Sequence, residues 1–134
     1  MKRVIFFLFL IIFLVLSCRD NPFVEKVYSI RVYNNSQKRV TTFYQKNYPD
    51  TNLSNPKPLL SEIKPNDYIF IDSRKKWEEV FSEAPKDTLS FYNISSDTLS
   101  TYSWDIIISR YNILKRYDLS LQDLQNLNWR ITYP

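Results

Sequence analysis

Two tetrads in this chain, Ser61-Glu62-Ile63-Lys64 and Ser73-Arg74-Lys75-Lys76, place a Lys three residues after a Ser. On a helix that spacing lets the amine take the serine proton, as serine acyl-transfer enzymes require. Neither tetrad is well placed for it. Ser61 falls beside an expected strand and turn, Ser73 fits a helix cap, and the companion motifs are missing. A second chemistry would use carboxylates: Glu78, Glu79, Asp105, Asp118 and Asp123 could hydrolyse a glycosidic bond if two converged and one had a raised pKa. Simpler roles are at hand. Glu78 and Glu79 sit early in an expected helix, where negative charge complements the dipole, and Asp123 falls near N3 of another. Asp50-Thr51-Asn52 opens like a calcium loop, but Asn55 and Ser61 stand where such a loop needs Gly and Glu. Trp77, Trp104 and Trp129 would serve a sugar-stacking platform or a core. Each lies in an apolar-periodic element, so all three are expected in the core.

The remaining exclusions come from composition. The 134 residues contain no His, no Gly and a single Cys. Without Gly there is no phosphate-cradling loop, and without His no imidazole base and no standard zinc site. No cofactor or metal is expected. The formal net charge of +4 counts Lys2 and Arg3 at the extreme N-terminus. These precede an apolar run from Val4 to Leu16 that is short of the about 20 residues a spanning helix needs. The run closes on Val15-Leu16-Ser17-Cys18, which has the form of a bacterial lipobox. Residues 1–17 are therefore expected to be a lipoprotein signal peptide, with Cys18 the lipidated residue and 18–26 a tether. Losing Lys2 and Arg3 halves the net positive charge, which leaves nucleic-acid binding without support. No second Cys is present for a disulfide, so the domain expected over residues 27–134 must rest on its apolar core.

Several elements must build that core. Residues 27–33 alternate, with Val27, Ser29, Arg31 and Tyr33 on one side and Tyr28, Ile30 and Val32 on the other, as in a half-buried strand. A turn at Asn34–Gln37, where Asn tolerates positive φ, leads into a strand at Val40–Gln45. The longest irregular stretch runs from Tyr48 to Pro58. Further strands are expected at Leu59–Ile63, Tyr68–Asp72, Thr88–Ile94 and Trp129–Tyr133. Trp77, Val80 and Phe81 share one face of a helix over residues 74–83 that Pro85 ends. Ser95-Ser96-Asp97 reads as a turn. Trp104, Ile107, Ile108, Tyr111 and Leu114 repeat at helical spacing behind a Ser103 cap, and Ser120 with Asp123 caps a short helix, Leu121–Leu127. The expected fold is α+β: an antiparallel sheet or sandwich-like domain of about six short strands, with two or three short helices in the C-terminal half.

Several segments resemble a family of small lipoproteins of gut Bacteroidetes. They are Tyr48-Pro49-Asp50-Thr51, Trp77-Glu78-Glu79, Asp87-Thr88-Leu89, Trp104-Asp105, the run Tyr111 to Leu124, and Asn128 to Pro134. The resemblance covers most of the mature domain and implies location and fold, not a chemistry. It also implies that exported proteins of this kind can be O-glycosylated at Asp-Thr followed by an apolar residue. Thr88 and Thr98 fit that pattern, each within an Asp-Thr-Leu that recurs at a ten-residue interval. Eukaryotic-type sequons at Asn34, Asn52 and Asn93 are coincidental in such a protein.

The leading functional expectation is a non-catalytic interaction or accessory module. It would be held to the outer membrane by its lipid, on the periplasmic face or the cell surface, with a protein or glycan partner. A carboxylate hydrolase and a glycan-binding surface protein are the alternatives. A lipid-facing structural protein would instead show a large exposed apolar patch.

Overall fold

The computed structural model describes residues 26–134, so the signal peptide and Cys18 lie outside the described residues. Alternation in the first segment becomes β1 (Tyr28–Asn34), whose Ile30 and Val32 are buried while Ser29 and Arg31 face solvent. β1 pairs antiparallel with β4 (Asp67–Ser73) and parallel with β7 (Arg130–Tyr133), giving a sheet of order β4-β1-β7. A second sheet, antiparallel throughout, has the order β3-β2-β5-β6. Its strands are β2 (Val40–Gln45), β3 (Ser61–Ile63), β5 (Thr88–Ser95) and β6 (Lys115–Ser120). Four short helices complete the described residues: α1 (Trp77–Ser82), α2 (Ser96–Thr101), α3 (Trp104–Arg110) and α4 (Leu121–Asn126). The fold is α+β, with two unclosed sheets.

Two apolar clusters hold it together. The larger fills the space between the sheets, with Ile30, Val32 and Ile131 from one and Ile63, Leu89 and Phe91 from the other. α1 adds Trp77, Val80 and Phe81, and α4 adds Leu124. The smaller lies on the opposite face of the four-stranded sheet, where Phe43, Tyr92 and Ile94 meet Leu53 and Ile107 of α3. With both its faces covered, β5 is buried at six consecutive positions, Leu89 to Ile94. The three-stranded sheet has no such second cover, and its outer side chains meet solvent.

Several expectations are corrected. Ser95-Ser96-Asp97 is not a turn: Ser95 ends β5 and α2 follows at once, with the Ser100 and Thr101 hydroxyls bonded back to the Ser96 and Asp97 carbonyls. The helical period from Trp104 stops at Arg110, because Tyr111 adopts φ 49° and ψ 51° and turns the chain out of the helix. Leu114 therefore leaves the helix, its N–H bonding the Asn93 carbonyl, and leads into β6, a strand the sequence reading missed. β3 is three residues rather than five, and Leu59 stands 91% exposed in front of it. Helix α1 starts at Trp77 behind Lys76, so Ser73 is not its cap; the Ser73 hydroxyl closes a turn on Lys75. Ser103 occupies the N-cap position of α3 without a side-chain capping bond.

A chain without Gly still needs left-handed backbone. It uses Asn66, Lys86, Asp87, Tyr111, Asn128 and Trp129 at φ of 48–58°. The Asn34–Gln37 turn does not work by positive φ as expected. Instead the buried Asn34 amide donates to the Lys38, Ile63 and Lys64 carbonyls and accepts from the Ser36 N–H and hydroxyl. That one side chain ties the β1–β2 turn to the β3–β4 turn. The capping box at α4 forms as expected, Ser120 Oγ accepting from the Asp123 N–H while the Asp123 carboxylate accepts from the Ser120 N–H.

Candidate functional site

Strand pleating puts every second side chain of the β4-β1-β7 sheet on its outer face, and the register sets which of them meet. Phe70 lies opposite Arg31, which lies beside Arg130; one row on, Tyr68 lies opposite Tyr33, which lies beside Thr132. The row nearest the start of β1 joins Ser29 to Asp72 through a 2.6 Å hydrogen bond. The result is a flat array of three aromatic rings and two guanidinium groups. Tyr68 is 44% and Phe70 48% exposed.

The rings and cations are mutually arranged. Tyr33 and Tyr68 lie 5.1 Å apart, and Tyr68 meets Phe70 edge-on at 5.6 Å. The Arg31 guanidinium is 5.3 Å from the Tyr68 centroid and 5.2 Å from that of Phe70, and it donates to the Tyr33 hydroxyl at 3.2 Å. The Arg130 guanidinium lies 4.0 Å from the Tyr33 centroid. Contacts of this type hold a cation over a ring without neutralising it. Arg39, Lys46, Lys75 and Arg116 are among the cations that form ion pairs on other surfaces, whereas neither Arg31 nor Arg130 has a carboxylate partner among the described residues. Both guanidinium groups lie within 6.0 Å of the same Tyr33 ring. Two like charges are thus held together, each with N–H donors to spare.

Beside the array is a hollow of about 370 Å³, lined by Arg31, Phe70, Leu127, Asn128, Trp129 and Arg130, together with Ser29. Its wall is set by the left-handed pair Asn128 and Trp129, which turns the chain from α4 into β7. The Trp129 carbonyl then accepts the Arg31 N–H at 2.9 Å. Phe70 also edges a larger hollow of about 510 Å³ between β2 and β4, which Tyr44, Gln45 and Leu59 help line.

The residues singled out in the sequence do not assemble into a site. Ser61 lies in β3 and Ser73 ends β4, neither on a helix with its Lys. Glu78, Glu79, Asp105, Asp118 and Asp123 are all exposed and lie on α1, α3, β6 and α4. The carboxylates whose pKa is displaced, Asp50, Glu83 and Asp123, all move down. The first and last do so through bonds from the Asn52 backbone and the Ser120 hydroxyl respectively, Glu83 through Lys46 and Lys75. Asp50 accepts the Asn52 N–H in a local turn, and no group of three or more potential metal ligands occurs among the described residues. Of the three Trp, only Trp77 is fully buried; Trp104 and Trp129 are half-buried at the margins of the two clusters. Thr88 is half-buried at the head of β5 with its hydroxyl bonded to the Lys86 carbonyl, and Thr98 is half-buried in α2. Among the sequons, Asn34 and Asn93 are buried.

Sequence reading missed Tyr68, Phe70 and Arg130 as site residues. It did put Arg31 and Tyr33 on one side of β1, and that was the available signal. Among the described residues no helix is long and apolar enough to cross a membrane. Comparison with protein-family models, with curated proteins and with solved structures finds no match to this chain.

Proposed function

We propose that this protein is an outer-membrane lipoprotein of the Bacteroidetes type, anchored through Cys18. It acts as a non-catalytic interaction module whose contact surface is the outer face of the β4-β1-β7 sheet. The observation that carries the reading is the outer-face array in which exposed Tyr68 and Phe70 and half-buried Tyr33 interleave with exposed Arg31 and Arg130. Tyr and Arg are the residue types that concentrate binding energy at contact surfaces, because each combines area with directional bonding. The array is mixed rather than purely apolar, which favours a polar partner over a lipid surface. The lipobox and short apolar run support the anchor. Thr88 and Thr98 remain the candidate O-glycosylation sites.

The test is photocrosslinking in intact cells, with a photoreactive residue in place of Tyr68 or Phe70 and, as control, Ser109 on α3. Adducts from the first two positions and none from the third are expected. Equal labelling at all three would overturn the assignment of the face. In the same cells Cys18→Ser is expected to abolish incorporation of a palmitate analogue and release the protein from membranes. A variant that stays bound and labelled would overturn the anchor. Mass spectrometry of the peptides holding Thr88 and Thr98 reads the modification directly.

A further inference from the structure

We infer that the outer face of the β4-β1-β7 sheet recognises an acidic glycan, a polysaccharide bearing carboxylate or sulfate groups; this rests on the interaction reading above. Arg31 and Arg130 stand side by side on adjacent strands, both within 6.0 Å of the Tyr33 ring and, among the described residues, neither paired with a carboxylate. The aromatic rings fix the two guanidinium groups in place, so little side-chain freedom is lost when they bind. A guanidinium fork matches a planar carboxylate or a sulfate edge through two parallel N–H donors. Bringing an oxyanion between the two groups would also relieve their mutual repulsion.

The rest of the ligand is set by what surrounds the charges. Tyr68 and Phe70 keep nearly half their surface open, and the Trp129-walled hollow continues the surface beside them. Pyranose rings present apolar C–H faces that pack on such rings while their hydroxyls stay wet. A peptide that adds to a sheet as a further strand needs an open edge for its main-chain bonds. This array lies on a sheet face, where the β1 backbone is already paired on both sides.

The test uses the full-length chain in detergent, with affinity electrophoresis through gels containing polygalacturonate, dextran sulfate or neutral dextran. Retardation by the two acidic polymers, absent with dextran and weakened by added NaCl, is expected. Arg31→Gln and Arg130→Gln should each weaken binding about tenfold or more. Arg39→Gln, which removes a cation engaged with Glu62 on the other sheet, should bind as wild type. Melting curves establish that the variants are folded. The inference is overturned if dextran retards the protein equally or if the Arg31 and Arg130 variants bind normally. It is also overturned if polyglutamate retards the protein as strongly as polygalacturonate. Crosslinks from Tyr68 without acidic-polymer binding would overturn the glycan assignment and leave the interaction reading standing. Loss of both would remove both.

Discussion

Replacing Trp77 by Ala tests whether the core between the sheets is held as described. The side chain is 2% exposed, meets Tyr44 edge-on at 5.7 Å, and donates its indole N–H to the Tyr28 carbonyl at 3.1 Å. Truncation removes a large ring from a packed site that can collapse only in part, at a cost of ~3–5 kcal/mol. Domains of this size have ~5–15 kcal/mol in all, so the loss is a large fraction. It corresponds to a fall in Tm of roughly 15–30 °C. Trp77→Phe separates the two contributions: it keeps most of the ring and loses the N–H, so about 1–2 kcal/mol is expected. Urea unfolding followed by far-UV circular dichroism is the suitable assay, since Trp fluorescence changes with the substitution itself. An unchanged m-value would confirm that the native and unfolded states remain comparable. Trp104→Ala and Trp129→Ala should cost less, about 1–3 kcal/mol, because both side chains are half-buried. A Trp77→Ala protein melting within a few degrees of wild type would refute the reasoning, as would Trp129→Ala proving the costlier change.

Three further outcomes follow from individual contacts. Glu83 bridges Lys46 and Lys75, and these bonds hold its pKa at about 2 against an ordinary 4.5. A carboxylate depressed on folding stabilises above its unfolded pKa, and that stabilisation fades as pH falls from 4.5 towards 2. Glu83→Gln should therefore flatten the pH dependence of the urea midpoint in that window, and the difference should shrink in high salt. An unchanged profile would show that the bridge does not persist in solution. Ser120→Ala removes the N-cap of α4 and should cost about 0.5–2 kcal/mol while letting the Asp123 pKa, lowered mainly by the Ser120 hydroxyl, rise; an NMR titration of Asp123 reads this directly. Asn93 is fully buried and neither polar atom of its amide has a protein partner, so Asn93→Leu should leave stability level or raise it by ~1–2 kcal/mol. A large loss would mean that the amide is satisfied in solution.

Where one element dictated its own geometry, the sequence was readable. Ile30 and Val32 alternate with Ser29 and Arg31, which is enough to place β1 with one face in the core. Ser120 and Asp123 carry the capping box in a four-residue window, and the helix forms where they say. The failures share a different cause. Lys115–Ser120 does alternate, Tyr117 and Leu119 against Arg116, Asp118 and Ser120, but two apolar side chains are a short signal directly after a helical repeat, and pairing with β5 is what makes it a strand. The helix before it ends at Tyr111, a residue with no special preference for the left-handed conformation it takes. In a chain without Gly, some such breaks fall on Asn or Asp, but Lys86, Tyr111 and Trp129 carry no signal of their own.

The array on the outer face is the strongest instance of that limit. Arg31 and Tyr33 are adjacent on one strand face and can be paired by alternation alone. Their neighbours Phe70, Tyr68 and Arg130 come from strands about 40 and 100 residues away, and a shift of one residue in either register would turn those side chains to the core. Two devices fix the registers. Asn34 bonds across to the carbonyls of Ile63 and Lys64 just before β4, which sets where β4 begins against β1. The Asn128–Trp129 turn, closed by Trp129 N–H on the Leu124 carbonyl, sets where β7 begins. Neither device contains a residue of the charged pair. The positions that set the registers are therefore distinct from the charged pair itself, and the Ser, Glu and Asp side chains that carry chemical motifs in the sequence lie elsewhere.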